Sequence, residues 1–177
     1  MALFESTTEI KKVIFNGIEI QSIFHNAVEC FKKVLEIFKN GVLNEACQIT
    51  NSEYFEIIDS QIVGAAYSAK TADEREYAFC MFKMDVTDYS QIIINGNIEL
   101  YAGTNGSAAI AYRIGSDAFV TVWSIDTGRE NTGASFGIDV SEYTGEQYFS
   151  IYCYTSFGTD KEEKYAKIYI DKMIALE

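Results

Sequence analysis

The sequence has 177 residues, of which 48% are hydrophobic and 14% aromatic, and its formal net charge is −12. A chain of this length forms one domain of ordinary size, or one domain with a small addition. The acidic excess argues against a phosphate backbone as ligand, because neutralising phosphates requires clustered Lys and Arg, so we expect no nucleic-acid partner. No apolar run reaches the roughly 18 residues that cross a bilayer, and we expect no membrane insertion.

Residues 13–30 contain a tandem repeat in which Asn16-Gly17 of the first copy corresponds to Asn26-Ala27 of the second. Asn-Gly between apolar segments is the strongest short-range signal for a β-hairpin. Two such turns predict a three-stranded meander, about the smallest sheet that holds together without further support. Because so small a sheet has to pack against another surface, we predict an assembly role for its apolar residues. These residues are Phe15, Ile18, Ile23, Phe24, Val28 and Phe31.

A helix competes with the third strand of this meander. Asn26 and Glu29 fit the N-cap and N3 positions of a helix, apolar residues follow at helical spacing, and Gly41 fits C′. The two interpretations exclude each other in part. We therefore expect a strand to about Phe31 and a short helix over residues 32–39.

The composition changes near residue 45. All twelve tyrosines and the tryptophan follow that point. The first 45 residues hold five Lys and six Glu, whereas the remainder holds nine Lys or Arg and twenty Asp or Glu. We predict an N-terminal anchoring or assembly module over residues 1–45 and a main domain over residues 46–177.

The main domain consists of short segments rich in Tyr, Phe, Ile and Val that recur about every ten residues. Turn signals separate these segments at Asn95-Gly96, Asn105-Gly106, Gly115 to Asp117 and Thr127-Gly128. Alternating strand and helix units are absent. This pattern predicts an all-β fold, an antiparallel β-sandwich of the jelly-roll kind.

A second internal repeat lies within this domain. Residues 85–90 and 139–144 share the motif D-V-[ST]-[DE]-Y-[ST], and each copy lies between two predicted strands. The Asp and Ser or Thr side chains of such a motif bond to the turn backbone, while the Tyr packs under it. The motif predicts two equivalent corners at which the chain crosses between sheets.

These corners, the segment G-E-Q-Y-F-S-I and the final strand K-I-Y-I-D-K-M-I-A-L together resemble jelly-roll modules related to carbohydrate-binding domains. Such modules occur in virion proteins of tailed phages and in secreted glycosidases. The N-terminal IKKVIFNGIEIQSIFHNAVECF is similar to a tandem segment of phage tail and other minor structural proteins, although Ala27 replaces the second glycine.

The resemblance implies a non-enzymatic virion structural protein of the tail, baseplate or capsid surface, made in the host bacterial cytoplasm. Its expected partners are other virion proteins or further copies of itself in a homo-oligomer, with adhesion to cell-surface polysaccharide. The alternative is a carbohydrate-binding module of a secreted or glycosidase-associated protein.

Residue types that carry catalysis are scarce. His25 is the sole histidine and no nucleophile motif accompanies it, so we predict no enzyme activity. The carboxylate pairs of the two corners fit turn caps better than a glycosidase pair. We expect no cofactor, although loop carboxylates of a jelly roll could hold a structural calcium. The four cysteines are expected to be buried free thiols.

Alternation along two late strands places tyrosines on one face of each. Tyr152 and Tyr154 share a face of the first strand, and Tyr165 and Tyr169 share a face of the second. We expect the two strands to be neighbours and to form a common aromatic platform for a sugar ring or a flat protein interface. A half-exposed sheet surface without any ligand accounts for the same tyrosines.

Three further residues are candidates for binding a hydroxyl-rich ligand: Tyr112, Arg113 and Arg129. Arginines are rare in this acidic chain, which draws attention to both of them. Trp123 is expected in the core, together with Phe119 and Ile125 on the same face of its strand.

Overall fold

The computed structural model describes residues 13–15, 18–21, 32–68, 76–156 and 162–177. This part of the chain contains fourteen β-strands, and no helix occurs in it. It therefore contains no helix that could span a membrane. The strands are β1 Val13–Phe15, β2 Ile18–Gln21, β3 Lys32–Lys39, β4 Val42–Leu43, β5 Gln48–Glu53, β6 Phe55–Ile58, β7 Gln61–Ser68, β8 Tyr77–Asp85, β9 Gln91–Gly103, β10 Ser107–Ile114, β11 Val120–Ile125, β12 Gly128–Asp139, β13 Glu146–Ser156 and β14 Lys164–Leu176.

The strands form two antiparallel sheets. The larger sheet has nine strands, in which β14 pairs with β9 along one side and with β7 and β3 along the other. Strand β12 lies beyond β9, β6 beyond β7, and β2 and then β1 lie beyond β3. The smaller sheet has five strands in the order β11-β10-β13-β8-β5. This arrangement confirms the predicted all-β sandwich.

Alternation along the strands directs one face of each sheet into the core. In β7 and β8 every second residue is buried, which is the pattern of a sheet with one covered face. One continuous cluster of buried side chains fills the space between the sheets, including Phe38, Phe82, Ile98 and Phe149. The opposite faces of the sheets, here called the outer faces, carry the side chains that solvent can reach.

The predicted turn at Asn95-Gly96 is wrong, because both residues lie within the 13-residue strand β9. The glycine is required by a close approach of two backbones rather than by a turn. A Cβ atom at Gly96 would lie 1.8 Å from the Tyr169 carbonyl oxygen of β14, beside an irregularity in the pairing of β14 with β9. Two predicted strands therefore form one.

The helix predicted over residues 32–39 is also wrong, since β3 occupies this range and pairs with both β2 and β14. The apolar spacing arises from an irregularity in the strand. Glu36 pairs with Ile174 and Phe38 with Met173, so that Ile37 is an extra residue. Both Ile37 and Phe38 consequently reach the core.

Gly41 ends no helix. Asn40 and Gly41 have φ values of 52° and 80° and join β3 to β4, whose residues Lys39 and Val42 pair directly. An Asn-Gly turn of this kind is the preferred two-residue hairpin connection.

The division into units at residue 45 stays a prediction. Strand β3, from the first unit, is hydrogen-bonded to β14, and Leu35, Ile37 and Phe38 belong to the same buried cluster as the main sandwich. The meander therefore continues into the larger sheet through β3.

The two predicted corners are confirmed. The Asp85 carboxylate accepts hydrogen bonds from the Thr87 N–H at 2.9 Å and hydroxyl at 2.6 Å, and Asp139 accepts the equivalent bonds from Ser141 at 2.9 and 2.7 Å. Tyr89 and Tyr143, the aromatic residues of the motifs, pack against the buried cluster. Each corner carries the chain from one sheet to the other, from β8 to β9 and from β12 to β13.

Three of the cysteines, Cys47, Cys80 and Cys153, are buried free thiols as predicted, while Cys30 lies outside the described residues. Burial raises the pKa of Cys47 to about 11 and that of Cys80 to about 12. The pKa of Cys153 is also raised, and its thiol lies 3.8 Å from the Gly64 carbonyl oxygen. At neutral pH these thiols are protonated.

Candidate functional site

Three adjacent strands of the larger sheet each present a tyrosine at the same level of its outer face. Tyr165 of β14 lies between Tyr67 of β7 and Tyr101 of β9, because it is the register partner of both. The Tyr101 and Tyr165 ring centroids are 5.7 Å apart, with an angle of 42° between the ring planes. We call Tyr67, Tyr165 and Tyr101 the tyrosine row. At the usual strand spacing of about 4.8 Å, the distance across the sheet from Tyr67 on β7 to strand β12, which lies beyond β9, is about 14 Å.

Arg129 lies at the end of the tyrosine row. It is the register partner of Tyr101 on the edge strand β12, and its guanidinium carbon lies 5.2 Å from the Tyr101 ring centroid and 5.9 Å from that of Tyr165. Within the described residues the Arg129 side chain forms no ion pair and no hydrogen bond. Its N–H groups are therefore available to a ligand lying along the row.

Lys167 and Glu99 form the next level of this face. They are register partners on β14 and β9, with 3.8 Å between the Lys167 Nζ and a Glu99 carboxylate oxygen. The Lys167 Nζ also lies 4.7 Å from the Tyr165 ring centroid and 5.6 Å from that of Tyr67. Burial alone would lower the pKa of Lys167. The neighbouring Tyr67 and Glu99 raise this pKa above its ordinary value, so the ammonium group stays charged.

Tyr169 follows on the same face, opposite Asn97 of β9. Burial raises the pKa of Tyr169, and Glu99 raises it further, whereas Lys167 opposes the shift. Beyond Asn97 the edge strand contributes only Gly133, where an added Cβ atom would meet nothing closer than the Asn97 amide oxygen at 4.0 Å. The outer face thus carries aromatic rings, an ion pair and an amide, and no side chain of the described residues covers its edge at Gly133.

A second aromatic surface lies on the outer face of the smaller sheet. Its rings are in sequential contact, with centroid separations of 6.3 Å from Tyr77 to Phe79, 5.6 Å from Phe79 to Tyr152 and 4.6 Å from Tyr152 to Phe119. We call these four residues the aromatic ladder. Arg113 lies against it.

The expectation that the two tyrosine-bearing strands are neighbours is wrong. Strand β13, with Tyr152 and Tyr154, lies in the smaller sheet, and β14, with Tyr165 and Tyr169, lies in the larger one. Their outer faces point away from each other. The predicted common platform is therefore two separate surfaces.

The remaining candidates divide between these surfaces and the core. Arg129 lies on the face of the larger sheet and Arg113 on that of the smaller one. Tyr112 reaches neither outer face, since it packs against the buried cluster with its ring centroid 6.2 Å from that of Phe136. Sequence reasoning missed Tyr67 and Tyr101, although alternation along their strands places both opposite the buried residues.

Trp123 packs against the core as predicted, with its ring centroid 6.0 Å from that of Phe136. The prediction for Phe119 is wrong, because 52% of this residue is exposed. Phe119 precedes β11, which starts at Val120, and the pairing of β11 with β10 is irregular near Ala111, so alternation from Trp123 does not extend to it.

The residues predicted to serve assembly are described only in part. Phe15 and Ile18 are register partners at the hairpin between β1 and β2. Ile23, Phe24, Val28 and Phe31 lie outside the described residues, as does His25. The assembly role stays a prediction.

A cleft of about 780 Å³ opens at the end of the sandwich beside the first corner. Lys33, Asp85, Asp88 and Tyr89 contribute to its lining. Lys33 forms an ion pair with Asp88 there, and Asp85 accepts a hydrogen bond from the Thr87 N–H group. Across the ranges that the structure describes, no three His, Cys, Asp or Glu residues are grouped so that they could hold a metal ion.

Among comparisons with known proteins, only the comparison with solved structures finds similar chains. No protein-family model matches the chain. No curated protein is significantly similar to it. Among solved structures, a family 29 carbohydrate-binding module from Piromyces equi is similar with a TM-score of 0.42 and 15% identity, covering 82% of this chain and 90% of that one.

Two variants of a family 29 module are similar at the same level. One, complexed with cellulohexaose, has a TM-score of 0.41 and 11% identity, covering 82% of this chain and 91% of that one. The other, complexed with mannohexaose, has a TM-score of 0.41 and 10% identity, covering 82% and 92%. Similarity of this degree does not assign the chain to a family. None of these findings points to a virion protein.

Proposed function

We propose that the chain is a non-catalytic carbohydrate-binding domain and that the outer face of its larger sheet binds the glycan. The observation that carries this proposal is the tyrosine row, in which the register of three adjacent strands aligns Tyr67, Tyr165 and Tyr101 at one level with Arg129 at its end. An aligned row presents several rings to one extended ligand.

The chemistry of this face suits a ligand with both apolar and hydroxyl surfaces. Tyrosine rings cover the apolar face of a sugar ring, and the hydroxyl groups of the sugar need donors and acceptors beside it. Arg129 supplies donors, Asn97 supplies both kinds of group, and the Glu99 carboxylate supplies acceptors. All of these lie on the same face of the larger sheet as the row.

The charge of the chain favours an uncharged glycan over a polyanion. The net charge of −12 repels phosphates and densely charged polysaccharides at long range. Near the row itself, Lys167 is already paired with Glu99, so that Arg129 is the one unneutralised cation that the described residues place there. A single arginine fits hydroxyl or isolated carboxylate oxygens.

The proposal is tested by affinity electrophoresis of the full chain through gels that contain neutral polysaccharides of β-linked glucose and mannose, the sugars of the neighbours' ligands. We expect retardation by at least one of them. Tyr165→Ala should lower retention measurably, because truncation of a central aromatic residue in an interface typically costs the affinity of that face about 2 kcal/mol or more. Tyr148→Ala is the matched control, since Tyr148 is 41% exposed and lies in β13 of the smaller sheet. Equal retention of the two variants, or no retention of the parent chain, would refute the proposal.

A further inference from the structure

The aromatic ladder exposes more apolar surface than the tyrosine row. Phe119 is 52% exposed and Tyr77 49%, and Tyr154, beside them on the same face, is 36% exposed. A contiguous exposed patch of large aromatic residues on a folded domain marks an interaction site, whereas single exposed apolar residues do not. The ladder crosses β8 and β13 and continues to Phe119, so it spans the middle of the smaller sheet.

The floor of this surface is built from small residues. Ala109 and Ala111 of β10 are 1% exposed, and they are the register partners of Tyr154 and Tyr152. Ala111 does not belong to the buried cluster between the sheets, so the groups that cover it lie on the outer side. Small residues opposite the two tyrosines leave room for the rings at the surface.

Arg113 is held within this surface without a polar partner. Its guanidinium carbon lies 4.9 Å from the Phe119 ring centroid and 5.7 Å from that of Tyr152. The Nε atom is shielded from solvent and has no hydrogen-bond acceptor, and the described residues offer Arg113 no ion pair. A shielded donor without an acceptor is costly, and such groups in folded proteins call for a specific explanation.

The two outer faces repeat one arrangement. On each, an arginine that has no ion-pair partner among the described residues lies against two aromatic rings, Arg129 against Tyr101 and Tyr165, and Arg113 against Phe119 and Tyr152. Four lysines among the described residues contrast with them, since each forms an ion pair with a carboxylate: Lys33, Lys39, Lys83 and Lys167. In a chain of net charge −12, two arginines without carboxylate partners point to acceptors supplied from outside.

We propose that the outer face of the smaller sheet is a second glycan-binding surface and that one chain binds two glycan chains on its opposite faces. The inference rests on the proposed function of the larger sheet, because the likeness of the two arrangements assigns the same class of ligand to both. Phe119 and Tyr152 contact the apolar side of a sugar, and the Arg113 N–H groups donate to its hydroxyl oxygens.

A second copy of the chain is a less suitable occupant of this face. Two copies would each bring a charge of −12 to the contact, and net charge of this size keeps proteins apart at moderate ionic strength. A neutral glycan brings hydroxyl acceptors to Arg113 without that repulsion. Self-association is therefore the alternative that the experiment must distinguish.

The test is titration calorimetry of the full chain with a soluble hexasaccharide of the polysaccharide that retards it, combined with sedimentation of the free chain. We expect a monomer that binds close to two hexasaccharides. Tyr152→Ala and Tyr165→Ala should each reduce the stoichiometry to about one, and the double variant should bind none. Arg113→Gln retains the ladder and should weaken the second site at least tenfold. Val42→Ala should keep both sites, because Val42 is 68% exposed and lies in β4, which belongs to neither aromatic surface.

Other results would overturn the inference in distinguishable ways. A stoichiometry of one that Tyr165→Ala abolishes and Tyr152→Ala leaves unchanged would remove the second surface and retain the proposed function. A dimer of the free chain that Phe119→Ser dissociates would assign this face to self-association. A chain that binds no polysaccharide at all would refute both proposals.

Discussion

The Val86 N–H group donates a hydrogen bond to the Gly145 carbonyl oxygen, with 3.0 Å between nitrogen and oxygen. The reverse relationship exists as well, since the Val140 N–H donates to the Ser90 carbonyl oxygen at 2.9 Å. A backbone N–H group of each corner is therefore hydrogen-bonded to a carbonyl group at the end of the other corner. This reciprocity gives the repeated D-V-[ST]-[DE]-Y-[ST] motif a physical reason, because two crossings of opposite direction lie side by side between the same two sheets.

Replacing both corner aspartates with asparagine should make stability less dependent on acid. The pKa of Asp85 is lowered by hydrogen bonds from the Thr87 hydroxyl and then its N–H, and that of Asp139 by the same groups of Ser141. A carboxyl with a lowered folded-state pKa stabilises the fold above its unfolded pKa of about 3.9, and this contribution is lost as the pH falls through the folded-state value.

Urea unfolding of the parent and of the Asp85→Asn, Asp139→Asn double variant checks this expectation. The parent should be more stable by the same amount from pH 7 to pH 5, and the difference should shrink below about pH 4. A difference that persists unchanged to pH 3 would contradict the assignment.

Gly96→Ala should destabilise the chain severely, by about 3 kcal/mol or more, because the added methyl group would overlap the Tyr169 carbonyl oxygen at 1.8 Å and only a backbone shift can relieve it. Gly133→Ala is the matched control on the neighbouring strand. Its Cβ would meet only the Asn97 amide oxygen at 4.0 Å, and the lower conformational entropy of the unfolded alanine variant should make the change neutral or slightly stabilising. Thermal unfolding of both variants measures the contrast, and equal melting temperatures would contradict it.

Phe38→Ala tests whether the first segment contributes to the main core. Phe38 is 0% exposed and belongs to the buried cluster, so its truncation should cost about 3–5 kcal/mol. Val42→Ala, four residues later, should change stability by less than about 0.5 kcal/mol because Val42 is 68% exposed. A small effect of Phe38→Ala on chemical unfolding would show that residues 1–45 fold apart from the sandwich.

The buried thiols should be unreactive in the folded chain and should destabilise it at alkaline pH. Burial raises the pKa of Cys47 to about 11 and of Cys80 to about 12, above the unfolded value of about 8.5. The stability that the protonated thiols contribute is complete below about pH 8.5. Above that pH each thiol contributes about 1.4 kcal/mol less per pH unit, until the pH reaches its raised folded-state pKa. Ellman's reagent at pH 8 should label Cys47, Cys80 and Cys153 only after unfolding, and rapid labelling of more than one thiol in the native chain would contradict their burial.

Much of the fold follows from the sequence, because one-sided burial imposes a period of two on most strands. Strand β7 shows this alternation over its whole length, and the corner motifs identify both crossings that they were expected to form. The errors have local causes. The Asn-Gly pair at Gly96 is typical of a turn, but the glycine is needed for a close approach between two backbones. The bulge at Ile37 gives the apolar residues of a strand the spacing of a helix.

The sequence predicts most of the candidate residues, but it joins on one platform residues that lie on two separate surfaces. Tyr165, Tyr169 and Arg129 lie on one face as part of the tyrosine row and its surroundings, whereas Tyr152 and Arg113 lie on the other side of the molecule. Periodicity states which face of its own strand a residue occupies. It does not state which sheet contains the strand, and strands adjacent in sequence, such as β13 and β14, lie in opposite layers here.

The most direct test of the central claim is an NMR titration of the full chain with a hexasaccharide of the polysaccharide that retards it in electrophoresis. Backbone amide shifts should change on β7, β9, β12 and β14 around Tyr67, Tyr101, Tyr165 and Arg129, and Tyr165→Ala should remove those changes. Shifts confined to the cleft beside Lys33 and Tyr89, with the tyrosine row unaffected, would show that the outer face of the larger sheet does not bind the glycan.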